Sequence, residues 1–126
     1  NKIAPIYKTN IQCQSAGRFS GPLIVSMRPI RSDQVTKTVQ VTSRLPVAHG
    51  TPIHIGNPST LGIDDLDNVL YETDRMTIGR NEVPVFWACA FTPQAIALDS
   101  GVNFIITHKP GHLFITDRLT EEVAIL

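Results

Sequence analysis

The stretch Val83-Pro84-Val85-Phe86-Trp87-Ala88-Cys89-Ala90-Phe91-Thr92-Pro93-Gln94 decides how this chain folds on paper. Its first seven residues are apolar and rich in β-branched and aromatic side chains, with Pro84 near the start, where a strand tolerates it. A helix start follows. Thr92 is the candidate N-cap, and Pro93 takes the first helical position, where its missing N–H costs nothing. Ala95, Ile96 and Leu98 continue the helix and Gly101 stops it. The apolar run Asn103–Thr107 then supplies a second strand. This order predicts a βαβ unit, with parallel strands near 83–89 and 103–107 and a right-handed crossover. The fold class is therefore α/β, with a mixed sheet and a crevice at the carboxyl ends of its strands.

Outward from that unit the elements are shorter. Leu23–Met27 reads as a strand closed by Arg28-Pro29, and Pro52–Ile55 as another, ended by Gly56-Asn57-Pro58. Residues 33–45 fit a helix with Ser32 as N-cap and Asp33 in the first turn; Val35, Val39 and Val41 also fall on alternate positions, but the run is long for a strand. Within 59–82 a helical turn is expected at Ile63–Leu66, followed by a polar, exposed stretch, and a last strand at His112–Thr116. Ile3, Ile6 and Ile11 are the expected anchors of the amino-terminal segment.

Composition excludes several classes. Eleven Lys and Arg balance eleven Asp and Glu in 126 residues, so there is no electrostatic footprint for nucleic acid. The apolar fraction of 42% is too high for a disordered chain. No apolar run is long enough for a membrane-spanning helix. Cys13 and Cys89 form no CxxC pair. A single bridge between them is open, and two reduced thiols in a reducing compartment are the favoured reading, which means the cytoplasm if the chain is bacterial and the mitochondrial matrix if it is from an animal. One modest domain, 1–126, is expected. The opening Asn1-Lys2-Ile3-Ala4-Pro5 reads as a piece of something longer.

Polar residues gather just after the apolar runs. In open α/β sheets that is where ligands bind. Thr92 stands where free N–H groups of a helix start can take an anion. His108 and His112 have the spacing of helical zinc ligands, with Asp117 as a third, but Pro110-Gly111 breaks the helix that would give this spacing its meaning. No metal is therefore assigned, and acid/base work or substrate hydrogen bonding suits these imidazoles better. Cys89 is either a nucleophile activated by the helix start or a small residue ending a buried strand. Arg28 and Arg18 can clamp carboxylates or simply face solvent. Asp117 can orient a histidine or cap a strand end.

The motifs are familiar. Tyr7-Lys8-Thr9-Asn10-Ile11, Gly21–Pro29 and His49-Gly50-Thr51-Pro52-Ile53-His54-Ile55-Gly56 resemble the D-glutamate cyclase family, many of whose bacterial members carry only provisional hydro-lyase names. Val83–Cys89 with Thr92-Pro93-Gln94, then Ile106–His112 and Thr116-Asp117, continue the match in family order. Ala90-Phe91 stands where Gly-Val is expected and Leu113 where Met is expected, both beside the crevice. Family members are roughly twice as long, and this chain resembles their carboxyl-terminal half. The amino-terminal half, with its own Cys/Ser/Glu-containing motif, is thus an implied partner.

The resemblance implies a reversible reaction in which D-glutamate loses water to give 5-oxo-D-proline. It assigns base and acid to His108 and His112, with Asp117 behind them, and oxyanion stabilisation to Thr92. Arg28 would hold the α-carboxylate, with Arg18, Asn10, His54, Gln94 and Cys89 as further substrate contacts. The scheme requires no cofactor and is compatible with a homo-oligomer. Two other readings are a non-catalytic small-carboxylate-binding or regulatory domain of the same fold, and a metal-dependent hydrolase on His108, His112 and Asp117.

Overall fold

The structure, a computed structural model, describes residues 3–71, 73–112 and 114–125. Four strands, β1 (Ile6–Gln12), β2 (Pro22–Arg31), β3 (His54–Ile55) and β4 (Glu82–Ala88), form one sheet. Their order is β1-β2-β4-β3, and every neighbouring pair is antiparallel. Two helices, α1 (Val35–Ser43) and α2 (Phe91–Asp99), accompany it. The α/β class holds, but the sheet is not mixed.

The second strand of the expected βαβ unit is absent. A parallel partner beside β4 needs a free edge, and both edges of β4 are taken, one by β2 and the other by β3. Residues 102–108 instead run as irregular chain, as do His112 and 114–116; Leu113 lies outside the described residues. With strands antiparallel, their carboxyl ends alternate between the two sides of the sheet, so no single crevice collects them.

Strand β2 runs on through Arg28-Pro29 rather than ending there. Pro29 stands directly opposite Pro84. The Pro84 carbonyl accepts from the Gly56 N–H on the β3 side, so this is a pair whose amide positions point away from each other. Neither proline removes a β2–β4 ladder bond, which is why both are tolerated. A two-residue turn joins β1 to β2, closed by mutual Ala16–Phe19 hydrogen bonds, with Gly17 at φ +57° in its first central position.

Alternation along the strands sorts side chains to two faces. Tyr7, Val25, Met27 and Phe86 share one face, covered by Leu61 and Ile63. The Tyr7 ring meets Phe86 edge-on with centroids 6.5 Å apart, and its hydroxyl donates to the Leu66 carbonyl at 2.9 Å. Within 59–82 the helical turn falls at Pro58–Leu61 rather than 63–66, and Leu61 and Ile63 complete the core; none of the described residues from 64 to 82 is buried, as expected of a polar stretch. Ile6, Ile24, Val85 and Trp87 lie buried on the other face. Of the expected amino-terminal anchors only Ile6 is buried, because Ile3 precedes β1 and Ile11 lies where β1 leaves its partner's register.

The helix at 33–45 forms, preceded by a 3-10 turn at Ser32–Gln34. Ser32 does not cap it; its hydroxyl donates to Asn81 across the β2–β4 end. No helix among the described residues is long and apolar enough to cross a membrane.

Candidate functional site

Helix α2 is fixed to the sheet at its first turn. It begins at Phe91, one residue ahead of Thr92, so Thr92 is not the N-cap. Its buried hydroxyl instead accepts the Ile24 N–H at 3.0 Å and donates to the Ile24 carbonyl at 3.1 Å. That carbonyl also accepts the Cys89 N–H, so the start of β2, the end of β4 and the start of α2 form one knot. Gly21 permits the close approach, since a Cβ there would stand 2.9 Å from Cγ1 of Ile96.

Beside the knot, between α2 and strands β1 and β2, lies a cavity of about 370 Å³. Small-molecule sites run from roughly 300 to 1,000 Å³. Its walls are apolar, with Ile24 from the sheet, Leu70 from the preceding loop, and Phe91, Ala95 and Ile96 from the helix. The Tyr71 ring packs on Phe91 at 5.9 Å and Leu70 donates its N–H to the Ile6 carbonyl, which ties that loop down. Two exposed charged residues also line it, Lys8 from β1 and Asp99 from the last turn of α2. Neither belongs to the two ion pairs found among the described residues, Arg31–Asp33 and Arg75–Asp67. A larger groove of about 720 Å³ lies between α1 and residues 120–124 and holds none of the sequence-assigned site residues.

The start of α2 is closed to an anion. Phe91 N–H donates to the Cys89 Sγ at 3.5 Å, Thr92 N–H donates to the Cys89 carbonyl at 3.0 Å, and Pro93 has no N–H. The single Thr92 hydroxyl proton is likewise committed to Ile24. Burial pushes the Cys89 thiol pKa up, with the Phe91 N–H pulling the other way and losing. This reverses the activation expected from a helix start, because desolvation of a thiolate outweighs one peptide dipole.

Each of the four histidines gives one ring nitrogen to a backbone carbonyl, and a carbonyl can only accept, so the tautomer of each neutral ring is set. His49 donates from Nδ1 to Ala88 and His54 from Nε2 to Asn57. His108 and His112 donate from Nδ1 to Lys109 and Pro110. His49 is also the one non-glycine residue with positive φ, +73°, among the described residues. Side chains seldom take that conformation, and it is commonest where function or tight geometry demands it. The His49-Gly50 pair, both left-handed, is the sequence signal that marks it.

The sequence-assigned residues fall into separate groups. Thr92, Gln94 and Cys89 sit together where β4 passes into α2, with Thr92 and Gln94 buried. Asn10 lies near the carboxyl end of β1 and donates to the Thr60 carbonyl across Gly62. Arg28 stands mid-β2 opposite Val85, and His54 opposite Phe86 on the other face. Arg18 is at the exposed β1–β2 turn, stacked over Phe19 at 5.8 Å. His108, His112 and Asp117 are exposed on the carboxyl-terminal segment, whose Gly111 abuts Ile3 beyond the amino end of β1. Among the described residues no three His, Cys, Asp or Glu side chains converge as metal ligands do. Lys8 and Asp99, which line the cavity, carry no signal in the sequence: one reads as an ordinary strand lysine and the other as an ordinary helix-end aspartate until α2 is docked.

Comparison with known proteins follows the same motifs. The chain is 53% identical over its whole length to a provisionally named hydro-lyase of Geobacillus kaustophilus, covering 48% of that protein. It is 51% identical over 97% of its length to one from Bacillus licheniformis, covering 46%, and 48% identical over 98% to one from Pelagibacter ubique, covering 48%. The chain thus spans about half the length of these relatives. The profile of the D-glutamate cyclase family matches residues 1–117, and the chain belongs to that family.

Proposed function

We propose that this chain carries a substrate site of a hydro-lyase that interconverts D-glutamate with 5-oxo-D-proline and water. The observation that carries the reading is one apolar cavity presenting both Lys8 and Asp99, in a chain of this family. D-glutamate is a zwitterion with a second carboxylate. The Lys8 ammonium suits its α-carboxylate and the Asp99 carboxylate its amine, both borne by one carbon, and apolar walls match its methylenes. In this reading Lys8, rather than Arg28, fills the carboxylate-holding role that the family resemblance implies.

In the forward direction the amine nitrogen attacks the γ-carboxyl carbon, forming the lactam C–N bond. The ammonium carries three protons. One stays on the lactam nitrogen, and two leave with one γ-carboxylate oxygen as water, so charge and atoms balance. Asp99 receives the proton that frees the nitrogen lone pair. His108 and His112 take the second proton, which the nitrogen loses after attack, and pass it to the departing oxygen, which also receives the proton held by Asp99. Their loop abuts Ile3, which is hydrogen-bonded to Asp74 in the segment that begins with the cavity residue Leu70. Because the attack is intramolecular, holding the substrate curled lowers the barrier without a covalent intermediate.

The test is chiral chromatography of D-glutamate and 5-oxo-D-proline, run with this chain alone and together with the remaining half of a family member. Lys8→Met is expected to raise KM by about tenfold or more with a smaller change in kcat, the signature of a lost charged contact to substrate. His108→Ala is expected to lower kcat. Ligand binding without turnover, with both halves present, would instead favour a carboxylate-binding domain. Unchanged KM in Lys8→Met removes the cavity from the reading.

A further inference from the structure

Two segments of the carboxyl-terminal region carry apolar side chains that nothing among the described residues covers. Phe104 is 79% exposed, Ile106 82%, Phe114 84% and Ile115 86%. Single exposed apolar residues are ordinary on protein surfaces; runs of them are not. Among the described residues, none of 102–108 makes a backbone–backbone hydrogen bond to the sheet or to any loop. The sequence there is nonetheless that of a strand, and an extended chain sets Phe104 and Ile106 on one side.

We propose that 103–107 and 114–116 are docking strands for the part of the family chain that these 126 residues do not span. Their exposed backbone pairs with strands of that part, and their apolar side chains enter its core. Two observations favour this occupant over a second copy. The relatives are about twice as long, with this chain covering 46–48% of them, so a domain-sized body of polypeptide is joined to the equivalent segments in the same molecule. Both segments also lie inside the stretch matched by the family profile, so relatives that carry the remaining half carry these segments too. Backbone pairing combined with burial of Phe and Ile is how a sheet edge accepts a further strand.

Amide hydrogen exchange tests the proposal, on this chain alone and on the intact Geobacillus kaustophilus relative at the matching positions. Amides of 103–107 should exchange freely here and roughly a hundredfold more slowly in the intact relative. Co-expression of this chain with the remaining half of that relative should give a one-to-one complex. Phe104→Lys and Ile106→Lys should each weaken it by about tenfold or more, while Val47→Lys, on another exposed loop, should leave it unchanged. Free exchange in the intact relative overturns the proposal. So does slow exchange in this chain alone, which would mean that the segments are covered by the chain itself or by a second copy.

Discussion

The Thr92 hydroxyl closes on both backbone groups of Ile24, accepting its N–H at 3.0 Å and donating to its carbonyl at 3.1 Å. A side chain in the first turn of a helix thereby acts as one more rung at the end of a strand. This single contact sets where α2 lies over β2, and hence the shape of the Lys8–Asp99 cavity.

Removing the hydroxyl should be costly out of proportion to its size. In Thr92→Val the Ile24 carbonyl keeps the Cys89 N–H, but the Ile24 N–H loses its partner in a buried position. An orphaned buried donor costs about 1–3 kcal/mol. Urea denaturation should show a loss of that order in Thr92→Val and little loss in Thr92→Ser. Equal loss in both would mean that the methyl packing, not the hydroxyl, matters.

Tyr7 should make stability fall in alkali. Burial, and secondarily the carboxylates of Asp67 and Asp65, push its pKa up to about 12 from the ordinary 10. The folded chain holds the phenol proton to higher pH than the unfolded chain. Stability from this group is full below pH 10 and is lost as pH rises from 10 to about 12, to a total on the order of 2 kcal/mol. Chemical denaturation across that range should show the decline, and Tyr7→Phe should flatten it at the expense of about 1 kcal/mol for the hydrogen bond to Leu66. A decline of the same size in Tyr7→Phe would assign the alkaline loss to other groups.

Gly21 should tolerate no side chain while Ile96 is present. Its φ is not left-handed, so the limit is space alone: a Cβ would stand 2.9 Å from Ile96 Cγ1. Gly21→Ala should cost about 1–3 kcal/mol, as overpacking does. In an Ile96→Ala background the same change should cost at least about 1 kcal/mol less. Additive costs in the double-mutant cycle would show that the two residues do not meet.

How far the sequence could be read depended on whether a feature is local. The strands at 23–27, 52–55 and 83–89 were legible from composition, and α2 from Pro93 and Gly101. The pairing direction was not. Val85, Phe86 and Trp87 are buried in succession because β4 is covered on both faces, and such a run looks the same in a parallel and an antiparallel sheet. Leu61 and Ile63 escaped notice because they reach the core from a 3-10 turn and loop with no period to detect. At the site, Thr92 stood out through the helix start, though for a contact to Ile24 rather than a cap. Lys8 and Asp99 could not be found, since only the docking of α2 brings distant stretches of chain to one cavity.

Cys89 should be a slow thiol. Burial raises its pKa, and the hydrogen bond from Phe91 only partly offsets this. At pH 7 its thiolate fraction is therefore below that of a free thiol, and alkylation by iodoacetamide should run several-fold slower than with a small-molecule thiol. In urea the difference should vanish, because the shift belongs to the folded state. The direction also bears on stability: as pH rises through the ordinary thiol range the unfolded chain ionises first, so Cys89 subtracts from stability in mild alkali and Cys89→Ala should remove that loss. Alkylation in the folded chain as fast as in urea would show that the thiol is activated after all, and would return Cys89 to the list of nucleophiles.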